Sequence, residues 1–200
     1  MFKRRDFLIG AGALAAGPAL AQAAPVRVAV ETGEGRIVLE LAADKAPLTC
    51  ANFLRYVTAR RYDGSTLYRA LRMSWDPTMG LVQGGLQNDP ARLFPPIAHE
   101  STAQTGLSHK DGTVSLARFA PGTATSDFFI CAGDFPSLDA DPTLPGDNLG
   151  FAAFGAVVEG MDVVRKVLAR PTSPTKGADS GMTGQILEPP VPVVSVRAVA

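Results

Sequence analysis

Short segments of strand length, separated by glycine, proline and aspartate, constrain the fold of this chain more than any other feature. Val26–Thr32 alternates apolar and other residues, and Arg36–Leu41 does so again after the turn Gly33–Gly35, a pattern typical of a hairpin. The same pattern predicts further strands at Thr66–Leu71, Met79–Gln83, Thr113–Ala117, Asp127–Ala132, Phe151–Val157 and Pro192–Val199. Many short strands without a strand–helix rhythm favour a closed antiparallel barrel or a sandwich.

Two segments have helical spacing instead. The first covers residues 47–60 and should begin after a capping acid at Asp44, with a proline in its first turn. The second begins near residue 159 and places four apolar residues on one face, namely Val163, Val164, Val167 and Leu168. The pair Gly84–Gly85 is expected to end the strand before it, and residues 86–108, which show no clear period, are expected to form a long ordered loop.

Composition and charge exclude several classes of function. The 200-residue chain is long enough for one domain and has a formal net charge of zero, so nothing favours binding to nucleic acid. Its two cysteines, Cys50 and Cys131, are too few for a disulfide framework. We interpret them as buried free thiols, although the sequence leaves open whether they meet. His99, Glu100 and His109 lack the spacing of a zinc site, which favours structural hydrogen bonding and predicts no metal or cofactor.

Residues 1–23 have the three regions of an export signal: a basic start, an apolar run too short to span a bilayer, and a stretch of small residues. The adjacent Arg4-Arg5 resembles a twin-arginine signal, and the spacing of alanines allows cleavage after Ala21 or Ala23. The sequence therefore predicts a signal followed by one domain, residues 24–200, which is located in the periplasm and is not inserted in a membrane.

Several sequence motifs follow one another across residues 26–199. They are A-P-L-T-C-A-N-F at Ala46–Phe53, Y-D-G-S-T-L-Y-R at Tyr62–Arg69, V-Q-G-G at Val82–Gly85, G-T-V-S-L-A at Gly112–Ala117, S-D-F-F-I at Ser126–Ile130 and F-G-A-V-V-E-G-M at Phe154–Met161. In order and rough spacing these motifs resemble those of the cyclophilin family, whose patterns include A-P-x-T-x-x-N-F, Y-D-G-x-x-F-H-R, G-x-x-S-M-A, S-Q-F-F-I and F-G-x-V-x-x-G-M.

The resemblance implies a mainly β fold, a cyclophilin-like closed eight-stranded antiparallel barrel capped by two α-helices. It also implies an activity, peptidyl-prolyl cis/trans isomerisation, with proline-containing peptides and folding proteins as partners. The barrier to rotation about an amide is about 18–20 kcal/mol, and X-Pro exchange is slow enough to limit folding. Because no bond is made or broken, a site needs only to hold the proline and to stabilise the twisted amide, so no cofactor is required.

The resemblance also implies roles for individual residues. Arg69 matches the family's catalytic cation, which would interact with the proline nitrogen or its carbonyl. Gln83 matches the glutamine that binds substrate backbone, and Phe129 matches the floor of the proline pocket. The remaining predicted substrate-binding positions are apolar or small, and they are Leu81, Ala117, Leu138 and Phe151.

The chain departs from the family at several of these positions. Residues 72–77 form an insert that contains Trp75, the only tryptophan. Non-family residues stand at the pocket positions Gly80, Leu81, Arg118, Asp127, Ser137 and Phe151. We expect Trp75 or Phe151 to restore the lost apolar volume, and we expect poor binding of the family's cyclic-peptide inhibitor, which uses the missing tryptophan.

Two functions are compatible with this sequence. The first is an active isomerase that assists the folding of exported proteins. The second is a catalytically weak cyclophilin-like module that binds proline-containing segments. Retention of Arg69, Gln83 and Phe129 favours the first, whereas the pocket departures favour the second. A ligand-carrying barrel has little support, because the order of the motifs argues against it, and a monomer is expected.

Overall fold

The computed structural model describes residues 25–143 and 145–199, so the predicted export signal lies outside the described residues. Within them, eight strands form one closed barrel in the order β1-β2-β7-β5-β6-β4-β3-β8, with every neighbouring pair antiparallel. The strands are β1 (Val26–Thr32), β2 (Gly35–Leu41), β3 (Thr66–Arg72), β4 (Gly80–Gly85), β5 (Thr113–Leu116), β6 (Phe128–Ala132), β7 (Ala152–Glu159) and β8 (Ile186–Val199). This confirms the mainly β barrel.

The helices of the described residues are α1 (Pro47–Thr58), α2 (Thr102–Thr105) and α3 (Met161–Leu168). Helix α1 follows the end of β2 and α3 follows the end of the antiparallel β7, so the two longer helices cover opposite ends of the barrel. The single turn α2 lies in the segment that the sequence analysis treats as loop, and a capping box between Ser101 and Gln104 stabilises it. None of these helices is long and apolar enough to cross a membrane.

Aromatic rings on α1 fill one end of the barrel. Phe53 is 0% exposed and its ring centroid lies 5.3 Å from that of Tyr62, 5.6 Å from that of Phe128 and 5.2 Å from that of Phe154. Tilted and edge-on ring pairs at such distances stabilise a core beyond the area that they bury. Phe53 therefore joins the helix to strands β6 and β7, which β5 separates in the barrel.

The prediction that Asp44 caps α1 is wrong. Ala46 occupies the cap position and makes no side-chain bond to the helix. The carboxylate of Glu100 accepts hydrogen bonds instead from the backbone nitrogens of Leu48 and Thr49, at 3.1 and 2.7 Å, and from the Thr49 hydroxyl at 2.7 Å. A carboxylate is favourable there because the first turn of a helix leaves donors unpaired. This contact confirms the structural hydrogen bonding predicted for Glu100 and anchors the long segment before β5 to α1.

The Gly84–Gly85 pair ends its strand as predicted, although both glycines are the last residues of β4 rather than lying beyond it. Gly85 has a φ of +138°, and a Cβ at this position would lie 2.7 Å from the Cα of Asp127. A Cβ on Gly84 would lie 2.6 Å from the Leu67 side chain. The two glycines therefore end β4 and also allow it to pack closely against its neighbours.

The two cysteines are buried and unpaired, as predicted. Cys50 lies on α1 and Cys131 lies on β6. Burial raises the pKa of each thiol to about 12, so neither forms a thiolate at neutral pH and both behave as apolar core groups.

Candidate active site

One cavity of about 150 Å³ opens beside strands β3, β4 and β6. Of the seven predicted site residues, six line it, and they are Arg69, Leu81, Gln83, Ala117, Phe129 and Phe151. The cavity is small beside the roughly 300–1,000 Å³ of typical small-molecule sites. Its size suits a compact ring rather than a large ligand.

The cationic side of the cavity is built by the pairing of β3 with β4. Arg69 lies opposite Gln83 in the register of these strands, and its Nη1 donates a 2.8 Å hydrogen bond to Gln83 Oε1. Its Nε donates a second bond of 2.8 Å to Gln185 Oε1. Within the described residues Nη2 takes part in no hydrogen bond. Burial lowers the pKa of Arg69, yet a guanidinium remains charged at neutral pH.

Gln185 is a residue of the site that is not predicted from the sequence. It lies just before β8, and its backbone oxygen accepts a hydrogen bond from Ala70 on β3. A polar residue in a polar loop has no recognisable sequence signal. Only the pairing of β3 with β8, two strands far apart in the chain, places its amide beside Arg69.

A second layer of polar residues extends behind Gln83. Gln83 Nε2 donates a 2.6 Å bond to the Tyr68 hydroxyl, which donates a 3.0 Å bond to Asp127 Oδ2. Asp127 is buried, and this burial raises its pKa above the usual range of a carboxyl group. Burial, together with the neighbouring Asp127 charge, raises the pKa of Tyr68 as well. Each of these buried groups therefore has a partner, as burial in a region of low dielectric requires.

The apolar side of the cavity is formed by two aromatic rings and an aliphatic side chain. Phe129 on β6 packs edge-on against Phe151, with ring centroids 5.5 Å apart and an interplanar angle of 86°. Leu81 on β4 belongs to the same apolar cluster. The cavity thus has a charged, hydrogen-bonding wall facing an aromatic floor.

A buried histidine supports this floor from behind. His109 is 0% exposed and stacks on Phe129, with ring centroids 5.9 Å apart. Its Nδ1 lies 2.5 Å from Asp139 Oδ1 and its Nε2 lies 2.9 Å from Ser115 Oγ. Burial lowers the pKa of His109, opposed by Asp139. Ser115 and His109 are fully buried and so have no access to a substrate, and the structural role predicted for His109 is confirmed.

Leu138 does not line the cavity. It lies in the short 3-10 turn Pro136–Leu138 and packs against the cluster of Leu81 and Phe129. Its backbone oxygen accepts a 2.9 Å hydrogen bond from the backbone nitrogen of Phe151. Leu138 therefore holds the aromatic floor in place from outside the cavity.

Of the two residues expected to restore the apolar volume, only Phe151 is in the cavity. Trp75 is 75% exposed and does not line the cavity. Arg118 reinforces Phe151, because its guanidinium lies 5.3 Å from that ring and forms two 2.8 Å hydrogen bonds with the Asp147 carboxylate. This pairing lowers the pKa of Asp147 to about 2. Arg118 thus fastens the segment before β7 to the rim of the cavity.

The barrel and its cavity match proteins of one class. The family model for cyclophilin type peptidyl-prolyl cis-trans isomerases matches residues 27–196. A solved cyclophilin type isomerase of Cryptosporidium parvum, crystallised in the presence of the dipeptide Ala-Pro, superposes with a TM-score of 0.66 at 18% identity, covering 87% of this chain and 99% of that one. At this identity the structural likeness shows the fold alone.

Sequence relatives carry the assignment further. The peptidyl-prolyl cis-trans isomerase of Acinetobacter baylyi is 33% identical over 198 residues, covering 98% of this chain and 96% of the relative. Peptidyl-prolyl cis-trans isomerase B of Escherichia coli is 32% identical over 176 residues, covering 86% and 97%. The chain therefore belongs to the cyclophilin-type peptidyl-prolyl cis-trans isomerase family, and it is an isomerase of X-Pro peptide bonds.

Proposed function

We propose that this isomerase acts on X-Pro bonds of exported proteins, assists their folding, and uses Arg69 as its catalytic cation. The observation that carries the proposal is the position of Arg69 at the cavity, where Gln83 and Gln185 hold two of its nitrogens. Its Nη2 donors are left for a substrate. Phe129 and Phe151 supply an apolar surface for the proline ring.

The proposed mechanism follows from the electronic structure of a twisted amide. In the planar X-Pro bond the nitrogen lone pair is delocalised into the carbonyl, which gives the bond its partial double-bond character. Rotation returns that lone pair to the proline nitrogen. A guanidinium beside the nitrogen then donates to it more strongly in the transition state than in the ground state, which is the condition for catalysis. Because Arg69 is already held in position, little reorganisation accompanies the rotation.

Proline-containing peptides are the proposed ligands. The related Cryptosporidium parvum protein was crystallised with Ala-Pro, and the small cavity here suits a ring of that size. In this proposal Gln83 binds substrate backbone, while Leu81, Ala117, Phe129 and Phe151 contact the proline. We expect the enzyme to act as a monomer.

A protease-coupled isomerisation assay tests the activity. Protein beginning at Ala24 is assayed on a panel of short peptides that differ in the residue before proline, and a parallel titration measures peptide binding. We expect clear acceleration of cis-to-trans exchange. Binding without acceleration of any peptide would instead favour the catalytically weak binding module, for which the structural argument is that two residues departing from the family pattern, Arg118 and Phe151, line the cavity.

The proposed periplasmic location rests on the leader sequence and has its own test. The full chain is expressed in a Gram-negative bacterium beside a variant with Arg4→Lys and Arg5→Lys. We expect the protein in the periplasmic fraction with its N-terminus at Gln22 or Ala24, and we expect the variant to be retained in the cytoplasm. Export of both forms would indicate the general secretory route, and retention of both with residues 1–23 intact would contradict export.

A further inference from the structure

The hydrogen bonds that link Arg69 to Asp127 form a series in which each group donates to the next. Arg69 donates to Gln83 Oε1, Gln83 Nε2 donates to Tyr68, and Tyr68 donates to Asp127 Oδ2. The carboxylate at the end of this series can only accept. A phenol that donates to it can only accept from the Gln83 amide, so the amide must present its NH₂ to Tyr68 and its oxygen to Arg69.

We propose that Asp127 is a positioning residue for the isomerase: its ionised carboxylate, acting through Tyr68, orients the Gln83 amide so that the amide holds Arg69. Protonation of Asp127 reverses the series and breaks the bond between Arg69 and Gln83, so that of the two glutamines bonded to Arg69 only Gln185 still holds the guanidinium. The proposal rests on the catalytic role of Arg69 proposed above and adds a residue two hydrogen bonds behind Gln83.

The contacts of Asp127 determine where a proton would go. Oδ1 accepts from the backbone nitrogens of Leu86 and Gln87, at 2.7 and 3.1 Å, and from the Ser126 hydroxyl at 3.0 Å. Those donors leave no room for a hydrogen on Oδ1. A proton on Asp127 therefore sits on Oδ2, which faces the Tyr68 hydroxyl.

Protonation at Oδ2 changes every bond in the series. The carboxylic acid donates to Tyr68, and the buried phenol keeps a partner for its own proton by donating to Gln83 instead. The Gln83 amide then turns its oxygen toward Tyr68 and its NH₂ toward Arg69. Two donors now face each other, and the Arg69–Gln83 hydrogen bond is lost.

The surroundings of Asp127 favour titration above the usual range of a carboxyl group. The titratable groups near it are the phenols of Tyr68 on β3, of Tyr62 after α1 and of Tyr56 on α1. All three have a raised pKa and stay neutral, and a phenol has no cationic form that could stabilise the carboxylate. Arg69 is separated from Asp127 by Gln83 and Tyr68, and burial raises the pKa of Asp127. The reversal should therefore take place at a higher pH than the protonation of an ordinary carboxyl group, and the fold can be checked independently at that pH.

The test is a pH profile of kcat/KM measured by NMR exchange spectroscopy on a short X-Pro peptide, a method that needs no coupling protease. We expect the wild-type value to fall about ten-fold or more on the acid side. Asp127→Asn places an NH₂ against Tyr68 at every pH. Its kcat/KM should therefore be about ten-fold or more below that of wild type, without the further fall at acid pH that forms the acid limb of the wild-type profile. Tyr68→Phe interrupts the series and should also lose the limb. Asp63→Asn removes a carboxylate paired with Arg197, outside the cavity, and should keep the wild-type profile.

A spectroscopic readout separates positioning from folding. The side-chain NH₂ resonances of Gln83, assigned by their absence in Gln83→Glu, should shift with the same apparent pKa as the acid limb. Persistence of the limb in Asp127→Asn would assign it to another group, such as His109, and overturn the proposal. A flat wild-type profile with unshifted Gln83 resonances would overturn it even if Asp127→Asn does not fold. In both cases a fast wild-type enzyme would leave the proposed function intact.

Discussion

Arg69→Ala should lower kcat/KM for X-Pro isomerisation by about 100-fold or more while the barrel stays folded. The size follows from the loss of a preorganised donor aimed at charge that develops only in the transition state. Arg69 is half-buried and its two hydrogen bonds are to neutral amides. Its removal therefore leaves no buried charge without a partner. The measurement is the peptide assay, with circular dichroism and urea unfolding as the check on the fold.

Arg69→Lys is the matched variant for this prediction. Lysine keeps the positive charge, but it lacks the planar group that reaches Gln83 and Gln185 while also offering donors to a substrate. We expect an activity between those of wild type and Arg69→Ala. Activity of Arg69→Ala within three-fold of wild type would remove Arg69 from the mechanism, whatever the lysine variant does.

Phe53→Ala should have the largest effect on stability, lowering the free energy of unfolding by about 3–5 kcal/mol. The Phe53 ring is fully buried and contacts the rings of Tyr62, Phe128 and Phe154. A cavity at this position cannot collapse easily, because its walls belong to different strands of a closed barrel. Urea unfolding followed by fluorescence or circular dichroism provides the measurement.

Phe119→Ala makes the same chemical change at an exposed position and serves as the control. Phe119 is 76% exposed, so its removal should change the free energy of unfolding by less than about 0.5 kcal/mol. Similar losses for the two variants would mean that burial of Phe53 is not what stabilises this end of the barrel. A large change in the slope of the free energy of unfolding against urea concentration would show that the compactness of the native or unfolded state has changed, and stability would then have to be measured with another probe.

Much of this fold could be predicted from the sequence because it is encoded locally. Alternating residues in β1 and β2 and the apolar faces of α1 and α3 depend on neighbours a few positions away. The contact between Glu100 and α1 is different, since nothing near residue 47 shows that a distant carboxylate will replace Asp44 as the cap. The close packing of the Gly84–Gly85 pair is hidden from the sequence for a similar reason, because its neighbours are Asp127, just before β6, and Leu67 on β3.

The candidate site, like the fold, has features that the sequence predicts and features that it does not. The motifs bring Arg69, Gln83 and Phe129 together as the resemblance implies. The motifs do not reveal that Asp127, recognised only as a departure from the family, is bonded to Tyr68. Nor do they show that Leu138 packs behind the aromatic floor, or that Trp75 in the insert is exposed to solvent. Each of these depends on strand register or on a loop path, which a single sequence does not specify.

The pairing of β1 with β8 bears on how this protein is made. Arg27 lies opposite Val199 in that ladder. Strand β1 therefore cannot complete its pairing until β8 is available. During synthesis β1 gains β2 as a neighbour at once, but its other edge stays open until β8 has left the ribosome. An open edge invites pairing with other chains, and a contact between such distant segments forms slowly. The barrel of this X-Pro isomerase therefore closes only in a late step of its own folding, and until that step one strand edge is open to aggregation.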